Sequence, residues 1–192
     1  MSDNLTSIVF VLVTALVCSL LLTGFSTGLM VPKQRNIQTD RQKNILEAVG
    51  LLTREQTADW QAIERLYAEH IRCGRVDRNG QVMPDTAASE GLLPVCFQVR
   101  DGQVAAYILP VETKGLWGTI KGYLAIENDG ATVTGFTVYS HQETPGLGGE
   151  IEKAWFQHNF KGKRIVDPDG APAPLSIARG RADKSVPPER LP

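Results

Sequence analysis

The stretch VCFQVRDGQVAAYIL, residues 95–109, decides the fold. Both halves favour extended backbone, and Asp101 and Gly102 sit between them, a pair that tolerates the two positive φ angles of a tight hairpin turn. The spacing predicts a strand over 95–99, a turn, and a return strand over 103–109. Pro110 limits the return because it cannot donate to a ladder. The pattern recurs in YLAIENDGATVTGFTVY, residues 123–139, where Asn128, Asp129 and Gly130 divide two β-rich runs. Two consecutive hairpins predict an antiparallel sheet.

Helices are predicted upstream of this sheet. KQRNIQTDRQKNILEAVG, residues 33–50, begins polar and then places Ile45, Leu46 and Val49 on one helical face, with Gly50 as a natural C-cap. Thr53 and Gln56 have capping-box spacing and predict a second helix through Arg72, with Trp60, Ile63, Leu66 and Tyr67 as its apolar face. A turn is expected over residues 77–80, DRNG. The fold class is therefore α+β.

Ahead of everything lies an apolar segment. No charged side chain occurs between Asn4 and Pro32, and residues 8–22 read IVFVLVTALVCSLLL. About 20 apolar residues span a hydrocarbon core of roughly 30 Å as a helix. A cleaved signal peptide would need a basic start and a shorter core. Here the start is MSDN, without Lys or Arg. The expected organisation is an anchor helix over 1–32, a stalk helix over 33–50 and one domain over 51–192. Lys33, Arg35, Arg41 and Lys43 follow the anchor, which by flanking charge alone would place the domain in the cytoplasm. That rule is weak for long translocated domains.

Composition excludes other classes. With 20 Lys+Arg against 21 Asp+Glu there is no basic field for nucleic acid. Cys18 lies in the apolar segment, while Cys73 and Cys96 have no metal-ligand spacing, and His70, His141 and His158 add none. The cysteines read as free and incidental, although Cys73 and Cys96 could pair in an oxidising compartment. No nucleophile and base suggest a hydrolase, and His141 and Glu143 read as solvated loop residues.

Two runs carry a further signal. In KGLWG, residues 114–118, glycines flank a Leu116–Trp117 pair and let the backbone bring a flat indole to a surface shared with a ring; an ordinary turn with a capping Trp reads as well. In ETPGLGG, residues 143–149, three glycines, a proline and a hydroxyl fit a fixed loop whose amides face a ligand. It lacks the Walker ending and the Rossmann spacing. The other reading is a structural loop into a helix over residues 150–160.

The run KGLWGTIKGYLAI (114–126), followed by HQETPGLGGEIEKAWFQHNFKGK (141–163), resembles the FMN-binding domain of the C subunit of the sodium-translocating NADH:quinone oxidoreductase. The likeness extends upstream to QKNILEAVG (42–50) after a single N-terminal helix. ETPGLG alone is shared with the G subunit of the related Rnf complex. The resemblance implies an FMN-binding domain with an antiparallel sheet and flanking helices. It also implies an electron relay from a membrane iron centre towards the FMN of the B subunit, between NADH and ubiquinone and coupled to sodium export. The soluble domain would stand on the periplasmic side of a bacterial inner membrane. Leu116 and Trp117 would pack near the isoalloxazine, and Glu143, Thr144, Gly146 and Leu147 would shape its pocket.

The sequence departs from this family in one respect. The resemblance implies FMN joined through its phosphate to a threonine in a downstream Ser/Thr-Gly-Ala/Ser-Thr motif, but Thr144 is the last threonine. Residues 134–137, TGFT, lie upstream within a predicted strand and are no substitute. Residues 176–184 still look like the approach to the motif, so a domain incomplete at its C-terminus, with uncovered strand edges, is expected. Two other readings stand beside the flavin subunit. One is a flavin-free anchored scaffold of the same or the Rnf-type complex; the other is a secreted binding module whose apolar segment is cleaved.

Overall fold

A computed structural model describes residues 3–28, 30–54, 56, 58–84, 91–167 and 169–173. The chain divides into two compact units, Met1–Gln38 and Thr39–Pro192.

In the first unit, helix α1 (Asp3–Gly28) exposes its apolar side chains all round. Its segment Leu5–Thr27 has a mean hydropathy of 2.7 and is long and apolar enough to cross a membrane. Threonine hydroxyls along it bond to the helix's own backbone: Thr14 donates to the Phe10 carbonyl at 2.9 Å and Thr23 to the Ser19 carbonyl at 2.8 Å. Such back-bonding is how a hydroxyl is satisfied in an apolar medium.

In the second unit, six antiparallel strands lie in the order β2-β1-β3-β4-β5-β6. They are β1 (Ile71–Val76), β2 (Val82–Pro84), β3 (Leu93–Arg100), β4 (Gln103–Lys114), β5 (Thr119–Glu127) and β6 (Val133–Ser140). Both expected hairpins form. Asp101 (φ 52°) and Gly102 (φ 76°) make the first turn. In the second, Gly130 (φ 68°) donates to the Glu127 carbonyl at 3.0 Å. At the 77–80 turn, Asp77 Oδ1 accepts from the amides of Asn79 and Gln81.

Two helices cover the sheet, the end of α2 (Met30–Ala48) and α3 (Trp60–His70). Ile45, Leu46, Val49 and Ile63 are buried with Ile108, Tyr123 and Ala125, with Leu66 and Tyr67 packed against them, as the helical spacing predicted. Trp60, expected on the same face at the helix start, is 40% exposed instead. Contact between α2 and β6 is close. A Cβ on Gly135 would collide with the Ala48 carbonyl oxygen. Thr137 donates its hydroxyl to the Asn44 carbonyl at 3.2 Å. Arg41 Nε donates to the Tyr123 hydroxyl at 2.9 Å, and Tyr139 stacks on Tyr123 with ring centroids 5.1 Å apart. Burial pushes the Tyr123 phenol up, and Arg41 opposes this shift.

Several expectations are corrected. The second helix begins at Trp60, not Thr53. The Thr53 amide does reach Gln56 Oε1 at 3.1 Å and the Gln56 amide the Thr53 carbonyl at 3.0 Å, but none of the described residues between 53 and 59 is helical. The helix ends at His70 because Ile71 and Arg72 enter β1 opposite Gln98 and Phe97. Strand β4 runs through Pro110: its pairing with β3 ends at Cys96–Ile108, so beyond that point it pairs with β5 alone. A residue without N–H is tolerated on such an edge. Strand β5 starts at Thr119 rather than Tyr123. The helix expected over 150–160 is broken into 3₁₀ turns and a four-residue α4 (Ala154–Gln157) by the extended Lys153 (ψ 144°).

Cysteine pairing is a further correction. Cys73 and Cys96 face each other directly across β1 and β3 and form a disulfide, while Cys18 is free. The register that brings them together is a long-range property invisible in their spacing. Beyond β6, Gly162 donates to Val133 and Ile165 to Ala131, so the start of that strand's outer edge is covered. The 176–184 run and the expected C-terminal incompleteness lie outside the described residues.

Candidate functional site

The Leu116–Trp117 pair occupies the tip of the β4–β5 hairpin. Gly115 donates to the Gly118 carbonyl at 2.8 Å, closing a tight turn that throws both side chains outward. Leu116 is 81% exposed and Trp117 65%. The turn and the adjoining strand ends, Glu112 to Thr119, line a shallow concavity of about 350 Å³.

The second run leaves the end of β6. Thr144 accepts from the amides of Leu147 (3.1 Å) and Gly149 (2.9 Å), which folds residues 144–149 into a compact turn. Gly146 takes φ 76°, where an L side chain is strained. Leu147 is 74% exposed at the turn's apex. Leu116, Trp117 and Leu147 are thus the large apolar side chains that the two turns hold out to solvent.

Glu143 joins the two runs. Its Oε1 accepts from the Trp117 amide at 3.0 Å. A Cβ on Gly115 would collide with the same oxygen, and one on Gly148 would stand 3.0 Å from Glu143 Cβ. The glycines are therefore needed for close approach around this carboxylate as much as for turn geometry. Leu116, Trp117, Glu143, Gly146 and Leu147 belong to these two linked turns, with Thr144 supplying the carbonyl that closes the second.

His141 is not the solvated residue its loop position suggested. Its side chain is 16% exposed. Nδ1 accepts from the Glu143 amide at 3.1 Å, and Nε2 lies 3.3 Å from Glu152 Oε2. The i to i+2 spacing of His141 and Glu143 was the one visible hint of this contact. Glu152 is eleven residues away, and the 144–149 turn with the 3₁₀ helix after it brings it back.

A second cavity, of about 300 Å³, lies between the end of α2, β6 and α4, with Glu47, Arg54, Thr134, His158 and Lys161 among its walls. Burial raises the Glu47 carboxyl above its usual value, and Lys43 and Arg54 oppose that. None of the six candidate residues lines this cavity. Among the described residues no group of three or more His, Cys, Asp or Glu could hold a metal ion.

Residues 115–183 match the profile of the family described as "FMN-binding domain". The match starts at the Trp117 turn and contains the whole Glu143 loop, so fold and site together define a protein of the FMN-binding-domain class. The C subunit of the Na(+)-translocating NADH-quinone reductase of Yersinia pestis is 32% identical over 94% of this chain and 78% of its own length. Its Vibrio alginolyticus counterpart is 30% identical over 88% of this chain and 75% of its own. The chain belongs to this C-subunit family. A crystal structure of the Parabacteroides distasonis C subunit superposes with a TM-score of 0.66 at 28% identity, covering 79% of this chain and 78% of that one. The Shewanella oneidensis NqrC structure gives 0.68 at 22% identity over 83% and 82%, a likeness of fold.

Proposed function

We propose that this protein is the membrane-anchored, FMN-carrying electron-transfer subunit of a sodium-translocating NADH:ubiquinone oxidoreductase. In this reading residues 1–32 anchor the chain in the bilayer, residues 33–50 form a stalk whose end packs into the core of the FMN-binding domain, and the remainder completes that domain. The observation that carries the reading is the pair of turns locked through Glu143, which presents Leu116, Trp117 and Leu147 as an apolar surface. An isoalloxazine ring is flat and apolar on its faces, and an indole with two leucines covers such a ring. When bound, FMN supplies the redox chemistry, and the chain contributes binding and orientation.

Each candidate residue then has a task. Trp117 and Leu116 lie against the ring and exclude water from that face. Leu147, raised by the Gly146 turn, packs from the other run. Glu143 fixes the distance between the two turns, and the Thr144 carbonyl closes the loop that carries Leu147. Electrons would pass from the iron centre of a membrane partner through this FMN towards the FMN of the B subunit, as part of a translocase exporting sodium. The periplasmic side fits the Cys73–Cys96 disulfide, since such bonds persist in oxidising compartments.

The test is an FMN titration of the full chain in detergent, followed by flavin fluorescence, for wild type and Trp117→Ala. An aromatic stack contributes about 1–1.5 kcal/mol, so the variant should bind roughly tenfold more weakly. Equal affinity for both would refute the Trp117 role. A denaturing gel of native membranes, imaged for flavin, addresses the covalent link. A fluorescent band at this protein's position would establish a covalent attachment. A dark band there would favour the flavin-free scaffold.

A further inference from the structure

We propose that His141, held by Glu152, is a positioning residue that fixes the Trp117 turn through Glu143. The inference deepens the flavin-site reading and rests on it for its functional consequence.

Three contacts made by one largely buried ring carry it. Nδ1 accepts the Glu143 N–H, so this nitrogen bears no proton and a neutral ring must carry its proton on Nε2. That N–H points at the Glu152 carboxylate, 3.3 Å away, which selects the tautomer with Nδ1 free to accept. The ring also packs on the loop's middle, where a Cβ on Gly149 would stand 3.3 Å from His141 Cε1. One imidazole thus touches the start, the middle and the end of the 143–152 segment.

The chain of contacts continues beyond the ring. With its amide held by His141, Glu143 directs Oε1 to the Trp117 amide. Glu152 is anchored in turn, since Arg54 donates to its main-chain carbonyl and Lys153 Nζ lies 4.0 Å from its Oε1. The hairpin tip has no other described side-chain hydrogen bond to the rest of the domain, so its exposed indole is oriented through this relay. Preorganised contacts of this kind set affinity by removing the cost of ordering on binding.

The test uses the full chain in detergent with Trp60→Phe and Trp155→Phe, which leaves Trp117 as the single indole. Its anisotropy decay reports how freely the ring moves, whether or not flavin binds. His141→Leu removes the acceptor; the fast-decay amplitude should rise about twofold and FMN affinity fall about tenfold, with the unfolding midpoint little changed. His141→Asn offers an oxygen to the Glu143 N–H from nearly the same place but loses the Nε2 contact to Glu152, so it should restore both readouts to the level of Glu152→Ala and no further. Glu152→Ala, at a half-exposed carboxylate, should move Trp117 in the same direction as His141→Leu. Unchanged Trp117 motion in His141→Leu would overturn the proposal, as would equal losses in the Leu and Asn variants. An unchanged Glu152→Ala would overturn the part given to Glu152. If wild type binds no FMN while Trp117 still responds to His141→Leu and recovers in His141→Asn, the positioning role stands and the flavin reading falls.

Discussion

Reducing the Cys73–Cys96 disulfide should weaken the soluble unit by a predictable amount. The cross-link joins residues 23 apart in sequence. On the chain-entropy account, closing a loop of that length removes unfolded-state freedom equivalent to about 3 kcal/mol at room temperature. With a urea dependence of about 2 kcal/mol per molar, the midpoint should fall by roughly 1.5 M. The assay is urea unfolding of the full chain in detergent, followed by tryptophan fluorescence, with and without dithiothreitol. Comparing two redox states of one sequence avoids the cavity that substituting Cys96, only 9% exposed, would leave in the core. A thiol count in denaturant is the internal control: the unreduced protein should show Cys18 alone, and the reduced protein all three cysteines. Unchanged midpoints, with the reduced state verified by that count, would refute the entropic argument. Three reactive thiols in unreduced protein from native membranes would remove the cross-link itself, and with it the support for an oxidising side.

Two further outcomes concern packing and pH. Gly135→Ala drives a methyl into the Ala48 carbonyl and should cost about 1–3 kcal/mol as α2 is pushed off the sheet, whereas Gly24→Ala, with open space around it, should leave the urea midpoint unchanged. The Asp129 carboxyl is lowered from 3.8 to about 2, first by the Thr132 hydroxyl and then by the amides of Thr132 and Ala131. Because its folded value lies below the unfolded one, its stabilisation is full above about pH 4 and is lost as pH falls towards 2. Carboxyl NMR should show Asp129 titrating nearer the ordinary value in Thr132→Val; an unmoved titration would exclude the hydroxyl as the main cause.

Local chemistry was legible where one principle decided it alone. The Asp101–Gly102 and Asn128–Gly130 turns, the buried face of α2 and the apolar length of α1 follow from φ preferences and helical period, and each appears in the structure. The reading failed where a tertiary partner outweighed a local signal. Thr53 and Gln56 formed their contact ahead of a helix that begins only at Trp60, and at its other end Ile71 and Arg72 were claimed by β1. Pro110 was a poor stop signal because where the pairing of β4 with β3 ends, not the sequence of β4, decides whether its missing N–H matters.

The candidate site divides along the same line. The sequence by itself determined which residues could serve: a Leu-Trp pair between glycines, and a second glycine turn bearing Leu147. Only the tertiary structure brought the two turns together. Glu143 meets the Trp117 amide 26 residues away, and His141 meets Glu152 because the 144–149 turn and the 3₁₀ helix after it fold the chain back. Cys73 likewise finds Cys96 only through strand register. Turns and helix faces are set by forces between near neighbours, which a sequence displays. Pairings across a sheet depend on how many strands assemble and in what register, a choice made by the whole core at once.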